Sequence, residues 1–253
     1  MSRTVRRRVA AIAVVLLCGL AMAWAMRDNG GGNGVVVVEL FTSEGCSSCP
    51  PADALVGKLL KEGRERIYLL AFHVDYWDTP QWRDAFSDPR FSRRQEGYAK
   101  ISGSRDVYTP QMIVNGSKGF VGSDEEVARR EIAAALKHKP EVSVAVSAKA
   151  ADRQVTVDCT TDSSGVGKFL NVALVQRGIQ RKIGGGENSG RSLSRENVVR
   201  EFQSAKTTGL MTSVRLTLPV GAAAEKCSVI AYVQDDAMHV LGANAVDLAP
   251  AGK

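Results

Sequence analysis

The spacing of apolar residues changes at Pro140, and this change limits the folds open to the chain. Before it, short apolar runs with the length of buried strands alternate with segments of helical spacing, which indicates an α/β unit. After it, valines alternate with polar residues at Val142, Val144 and Val146, and six or seven short strands are expected in about a hundred residues. The sequence therefore predicts an α/β domain over residues 35–139 followed by an all-β sandwich domain over residues 140–253.

The N-terminal segment predicts export from the cytoplasm. Residues 1–26 contain four arginines and no acidic residue, and their apolar run from Val9 to Met26 includes small residues that fit a cleavage site. This is the layout of a secretory signal, and an uncleaved run of this length would anchor the chain in a membrane. We therefore expect a signal peptide or N-terminal membrane anchor over residues 1–26, a glycine-rich linker over residues 27–34, and an extracytoplasmic protein that is periplasmic or secreted.

The net charge gives no indication of a nucleic-acid partner. The formal charge is +6, but without the four N-terminal arginines the chain has 29 basic and 27 acidic residues. A protein that binds the phosphate backbone needs a concentrated basic face. We therefore expect no nucleic acid among its partners.

Two cysteines carry the main indication of function. Cys46 and Cys49 are separated by two residues, lie between the first predicted strand and the first predicted helix, and are followed by two prolines. At a helix start, unpaired N–H groups and the helix dipole stabilise a thiolate. The pattern predicts thiol–disulfide exchange in which Cys46 attacks a substrate disulfide and Cys49 resolves the mixed disulfide.

Two alternatives to exchange stay open at this stage. The pair can form a permanent disulfide in a non-catalytic binding or scaffold protein. It can also bind Cu(I), because two thiolates and the imidazole of His73 are ligands that suit this ion. The exchange interpretation needs no metal and no dissociable cofactor.

Several segments resemble a known family. The chain is similar to secreted thioredoxin-like proteins grouped as domain of unknown function 1223. The residues that carry the resemblance are Glu39–Asp53, His73–Asp78, Tyr108–Gln111, Gly190–Leu193 and Asn197–Arg200.

The resemblance to the thioredoxin superfamily implies roles for residues around the cysteines. It implies that Pro110 follows a cis peptide bond and that the backbone of Thr109 pairs with an extended substrate chain, with Tyr108 and Trp77 among the substrate contacts. It also suggests Glu39 as the buried carboxylate that takes the proton of the resolving cysteine. Glu39 is seven residues before Cys46, one more than thioredoxins use, and one residue reverses the face of a strand side chain.

The second domain resembles immunoglobulin-like sandwiches. Alternation places Cys159 and Cys227 on the inward faces of two strands, and the resemblance implies a structural disulfide between them. The glycines at 184–186 lack the Lys-Ser/Thr that follows in a phosphate-binding loop, so we expect an ordinary surface loop there.

These observations predict an α/β thioredoxin-like domain followed by an all-β immunoglobulin-like sandwich. The expected function is an exported thiol–disulfide oxidoreductase that acts on protein substrates. Turnover would require a redox partner that resets the dithiol.

Overall fold

The computed structural model describes residues 34–249, except residues 64 and 105. The predicted signal or anchor over residues 1–26 lies outside the described residues. In the part that is described, no helix is long and apolar enough to cross a membrane.

Three α-helices occur in the described ranges, and their starts follow from local sequence. Asp88 caps the second helix by accepting a hydrogen bond from the Arg90 N–H at 2.8 Å, and a proline occupies its first turn. The cap and the proline together set the start of this helix at Pro89. The helices are α1 (Pro50–Lys61), α2 (Pro89–Ile101) and α3 (Glu125–Ala135).

Thirteen strands in the described residues form three sheets. The large sheet has eight strands in the order β13-β12-β7-β10-β2-β1-β3-β4, a second has the order β11-β6-β5, and β8 pairs with β9. The strands are β1 (Val36–Thr42), β2 (Ile67–His73), β3 (Gln111–Val114), β4 (Phe120–Val121), β5 (Val144–Ala151), β6 (Gln154–Thr161), β7 (Phe169–Gln176), β8 (Ile179–Lys182), β9 (Ser192–Arg195), β10 (Val198–Lys206), β11 (Met211–Thr217), β12 (Cys227–Gln234) and β13 (Val240–Asp247).

The two predicted architectures are joined by one strand. β10 pairs antiparallel with β7 and parallel with β2, where Val198 lies opposite Ala71. Just before β10, the Asn197 carbonyl accepts a hydrogen bond from the Ala71 N–H at 2.9 Å, and the Asn197 amide donates to the Leu69 carbonyl at 2.9 Å. Strands from both sides of Pro140 therefore belong to one sheet.

The predicted fold class is consequently wrong. The protein is mostly β, with a large mixed eight-stranded sheet and three helices in its described part, and it has no α/β thioredoxin-like domain set apart from an immunoglobulin-like sandwich. An apolar pattern tells which faces of a strand are buried, but it does not tell which strand is its neighbour. The free edge of β2 accepts a strand that lies more than a hundred residues later.

The buried residues form three layers of core around this sheet. Helices α1 and α3 cover one face of β1, β2 and β3 through residues such as Leu40 and Leu55, whereas α2 covers the opposite face. That second core contains Phe72 from the first half and Tyr232 from the second half. The third core lies between the three-stranded sheet and strands β7, β12 and β13.

The predicted disulfide between Cys159 and Cys227 is absent. Both residues face the third core, as their alternation predicted, but both are free thiols. The Cys227 thiol lies 3.5 Å from the Ala223 carbonyl oxygen, to which it donates. Burial raises the pKa of Cys159 to about 11 and also raises that of Cys227, so these thiols are protonated at neutral pH.

Candidate functional site

The cysteine pair forms a disulfide in the turn between β1 and α1. Cys46 and Cys49 are bonded, with their Cα atoms 5.4 Å apart, and Cys49 is the residue that precedes the first turn of the helix. The Cys49 N–H donates to the Cys46 carbonyl at 3.2 Å, and the Asp53 N–H donates to the Cys49 carbonyl at 3.1 Å. Pro50 fits the first turn because a first-turn N–H has no partner within a helix.

The turn before β3 lies against this disulfide. The peptide bond between Thr109 and Pro110 is cis. The Cys46 Sγ is 3.8 Å from the Thr109 carbonyl oxygen, which also accepts a hydrogen bond from the Ser48 hydroxyl at 3.5 Å. The Trp77 Nε1 donates to the Thr109 hydroxyl at 2.7 Å. Four of the predicted residues, Cys46, Thr109, Pro110 and Trp77, are thus brought together.

Tyr108 is held at the border of this group. Tyr108 is 37% exposed, so a partner can reach it from solvent. Its carbonyl oxygen accepts a hydrogen bond from the Gln95 side chain of α2 at 2.7 Å, which fixes the backbone just before Thr109.

Glu39 is not placed to act as a base for Cys49. Its carboxylate points to the α2 face of β1, where both oxygens accept from the Arg94 guanidinium at 2.8 and 2.6 Å. It also accepts from the hydroxyl groups of Tyr98 at 3.1 Å and Tyr232 at 2.8 Å. The adjacent residue, Leu40, faces α1 instead. The shift of one residue noted in the sequence therefore turns Glu39 away from the cysteines, into a buried ion pair.

Asp53 is the carboxylate that shares a helix face with Cys49. It lies four residues after Cys49, a spacing that places two side chains on the same face of a helix, and it is buried. Its Oδ1 accepts from the Thr42 hydroxyl at 3.0 Å, and its Oδ2 is 3.4 Å from the Arg195 Nη1. Burial raises the pKa of Asp53, although Arg195 opposes this effect.

A second acidic group next to the site is held as a carboxylate. Asp84 Oδ2 lies 2.7 Å from the Nδ1 of His73 and accepts from the Glu44 N–H at 2.7 Å, while Oδ1 accepts from the Phe86 N–H at 2.9 Å. Burial disfavours its charge, but His73 and these hydrogen bonds outweigh burial and lower the pKa of Asp84 to about 2. Burial and the neighbouring Asp84 raise the pKa of Glu44.

Several buried polar atoms in this region have no hydrogen-bond partner among the described residues. They are both carboxylate oxygens of Glu44, Oδ2 of Asp53, Nε2 of His73, and Nε and Nη2 of Arg195. His73, Asp84 and Arg195 each act on the pKa of both Glu44 and Asp53, so these groups form one electrostatically connected polar interior. No group of three or more His, Cys, Asp or Glu residues in the described ranges is arranged to hold a metal ion.

The loop between β8 and β9 is bound to the cysteine turn, which the sequence did not predict. The Asn188 side chain donates to the carbonyl oxygens of Glu44 at 3.0 Å and Cys46 at 2.7 Å. The Glu187 carboxylate accepts from the Ser47 N–H at 2.9 Å and hydroxyl at 2.6 Å. The glycines that resembled an ordinary surface loop therefore belong to the site.

The segments of the second half that carried the family resemblance, Gly190–Leu193 and Asn197–Arg200, adjoin this loop and the first residues of β10. They were the available signal that this part of the chain belongs to the site.

Comparison with known proteins identifies the family. The family model described as a protein of unknown function, DUF1223, matches residues 37–234. The chain therefore belongs to this family. No curated protein matches it.

Two solved structures are similar to this chain. The chain is similar to the crystal structure of protein AGR_C_4864 from Agrobacterium tumefaciens, with 30% identity, a TM-score of 0.62, and coverage of 86% of this chain and 95% of that one. It is also similar in fold to HBP35 of Porphyromonas gingivalis, with 14% identity, a TM-score of 0.57, and coverage of 87% of this chain and 77% of that one.

Proposed function

We propose that this member of the DUF1223 family is an extracytoplasmic thiol–disulfide oxidoreductase that acts on protein substrates. The observation that carries the proposal is the position of the Cys46–Cys49 pair. The sulfur of Cys46 lies beside the backbone of Thr109, and Cys49 shares a helix face with the buried carboxylate of Asp53. This arrangement supports thioredoxin-type chemistry at the site.

The reaction begins from the reduced pair. The Cys46 thiolate attacks one sulfur of a substrate disulfide, forming a mixed disulfide and releasing the other substrate sulfur as a thiolate. Cys49 then transfers its proton to Asp53 and attacks the Cys46 sulfur. The mixed disulfide breaks, the second substrate sulfur leaves, and the substrate has gained the two electrons that the cysteine pair has lost.

Asp53 suits the role that the sequence assigned to Glu39. Cys49 is fully buried, so its proton needs an acceptor inside the protein. A carboxylate with a raised pKa binds that proton better than an exposed one, because its charged form is poorly solvated. The ion pair with Arg195 opposes the effect of burial and favours the carboxylate form, which is the form that accepts the proton.

The exchange step itself needs only side chains of this protein, but repeated turnover needs a second redox protein. After one turnover the pair is oxidised, and a dithiol partner must return it to the reduced form. In the opposite direction, a disulfide partner would keep the pair oxidised for use on substrate thiols.

The main competing function is that of a binding or scaffold protein with a permanent disulfide. The observation that favours it is that Cys46 and Cys49 are both fully buried. This alternative predicts a bond that the glutathione pool cannot open, with a reduction potential below about −300 mV.

The reduction potential of the pair separates the two functions. It is measured by glutathione equilibration followed by thiol trapping, in a Cys159→Ala/Cys227→Ala background so that only the pair reports. A value between about −120 and −270 mV is expected for an exchange protein. A pair that stays oxidised throughout the glutathione range would refute the proposal.

The matched test of turnover compares this background with its Cys46→Ser variant. The background should catalyse reduction of a protein disulfide by dithiothreitol, and the variant, which lacks the attacking sulfur, should not. Equal rates for the two proteins would exclude catalysis at Cys46.

A further inference from the structure

The loop of residues 183–191, which connects β8 and β9, is bound to the cysteine turn from above. Besides the bonds of Asn188 and Glu187 described above, the Glu187 N–H donates to the Gly45 carbonyl at 3.0 Å. The loop thus contacts the residues on both sides of Cys46, namely Gly45 before it and Ser47 after it. Its contacts join parts of the chain that are about 140 residues apart.

Glycine allows this loop to approach closely. Gly186 has a φ of +68°, a left-handed conformation that favours glycine, and a Cβ there would lie 2.7 Å from the Cα of Gly45. The two backbones therefore touch directly, with no side chain between them. Trp82 packs along the same stretch, close to Gly184 and Gly45.

The buried sulfur of Cys46 is the atom that the proposed reaction needs at the surface. Cys46 is fully buried, whereas the two serines between the cysteines are exposed. A protein disulfide has to align three sulfur atoms in a line of attack, which requires access to the Cys46 sulfur. Because Cys46 is fully buried, a bulky substrate cannot reach its sulfur while the loop and the turn stay bound to each other.

The charge of Glu187 links the loop to the redox state. Hydrogen bonds from the Ser47 side chain and backbone lower the pKa of Glu187, so it is ionised at neutral pH. Its carboxylate accepts a hydrogen bond from the Ser47 N–H, in the turn that leads into α1. The N–H groups of this turn would also stabilise a Cys46 thiolate. The disulfide carries no charge, so it tolerates the carboxylate, whereas the thiolate repels it.

We infer that residues 183–191 form a cover that closes over the Cys46–Cys49 disulfide and opens when Cys46 becomes a thiolate, with Glu187 and Asn188 as the positioning residues that determine which substrates reach the pair. This inference rests on the proposed exchange function. It assigns to the second half of the chain control over access to the cysteines.

The test compares two reductants on the oxidised protein in the Cys159→Ala/Cys227→Ala background. One is dithiothreitol, and the other is a reduced protein dithiol, thioredoxin. Glu187→Gln keeps an acceptor for Ser47 but removes the charge, and Asn188→Ala removes the two hydrogen bonds to the cysteine turn. Each variant should raise the rate with the protein dithiol about tenfold relative to the rate with dithiothreitol. Glu131→Gln on α3, which removes the same charge from a residue that pairs with Arg130, should leave the ratio unchanged.

A second readout distinguishes a charge effect from simple loosening. The pH dependence of iodoacetamide alkylation gives the pKa of Cys46, and Glu187→Gln should lower it because the thiolate loses a repelling neighbour. Unchanged rate ratios and an unchanged Cys46 pKa in a protein that exchanges normally would overturn the cover alone. A wild-type pair that neither reductant opens would instead overturn the proposed function.

Discussion

Glu39→Gln separates the structural role that we assign to Glu39 from the catalytic role that the sequence suggested. The substitution removes the carboxylate charge that pairs with Arg94, whose side chain is 8% exposed, while keeping the size of the side chain. Arg94 is left as a buried cation surrounded by the rings of Phe72, Tyr98 and Tyr232. Removing one partner of a buried ion pair costs about 3–5 kcal/mol, because the remaining charge is unpaired.

The assay is thermal unfolding followed by circular dichroism. For a domain of this size, 1 kcal/mol corresponds to about 2–4 °C, so the Tm should fall by about 6–20 °C. Glu125→Gln is the matched control, since Glu125 is 40% exposed and pairs with Lys58 and Arg129 on the surface. Its Tm should stay close to that of the wild type, because exposed pairs contribute little.

The same variant should leave the pH dependence of disulfide exchange unchanged at a temperature at which it is folded. An unchanged Tm together with a displaced pH–rate profile would refute our reasoning. Glu39 would then be acting on the cysteines and would not be locked in the ion pair.

Three further predictions concern the site itself. Asp53→Asn should slow the attack of Cys49 on the mixed disulfide at least tenfold and remove one ionisation from the pH profile of that step, as measured by trapping the mixed disulfide in stopped-flow experiments. A pH profile like that of the wild type would exclude Asp53 as the proton acceptor. The pKa of Asp84 is lowered to about 2 in the folded state, so its ionisation contributes about 2 kcal/mol of stability that is fully present above pH about 4 and is lost as the pH falls through 2. Asp84→Asn should therefore reduce the loss of stability at acidic pH, as measured by urea titrations at a series of pH values. An equally steep loss in the variant would contradict the assignment. Trp77→Phe removes the 2.7 Å hydrogen bond to the Thr109 hydroxyl and should raise KM for a protein disulfide several-fold with little change in kcat, whereas a loss confined to kcat would point to a role in the chemical step.

The sequence was sufficient for features that depend on local order. Cys46, Cys49 and Pro50 lie within five consecutive residues, and the rules for a helix start apply to such a segment without knowledge of the rest of the fold. The prediction for the turn at Thr109 and Pro110 came from a family resemblance, because the spacing of residues alone does not show which segments lie close together in the fold. Alternation, which is a local signal, also predicted that strands follow Pro140, but it predicted six or seven of them, whereas the described residues contain nine, β5 to β13.

The sequence failed where the outcome depends on which segments meet. The pairing of β10 with β2 depends on a free sheet edge, which leaves no mark on the apolar pattern of either strand. Glu39 was misassigned because its register, and hence its face, is set by the pairing of β1 with its neighbours. The contacts of Glu187 and Asn188 with the cysteine turn are between polar loop residues far apart in sequence, and no periodicity records them.

The position of the cover in the chain also orders events during biosynthesis. The ribosome completes Cys46 and Cys49 more than a hundred residues before it reaches residues 183–191. Throughout that interval the nascent chain has its two thiols and no segment with which to shield them. An oxidising catalyst that meets the emerging chain can therefore form the disulfide before the loop exists, whereas a later protein reductant meets the finished protein and has to displace the loop first.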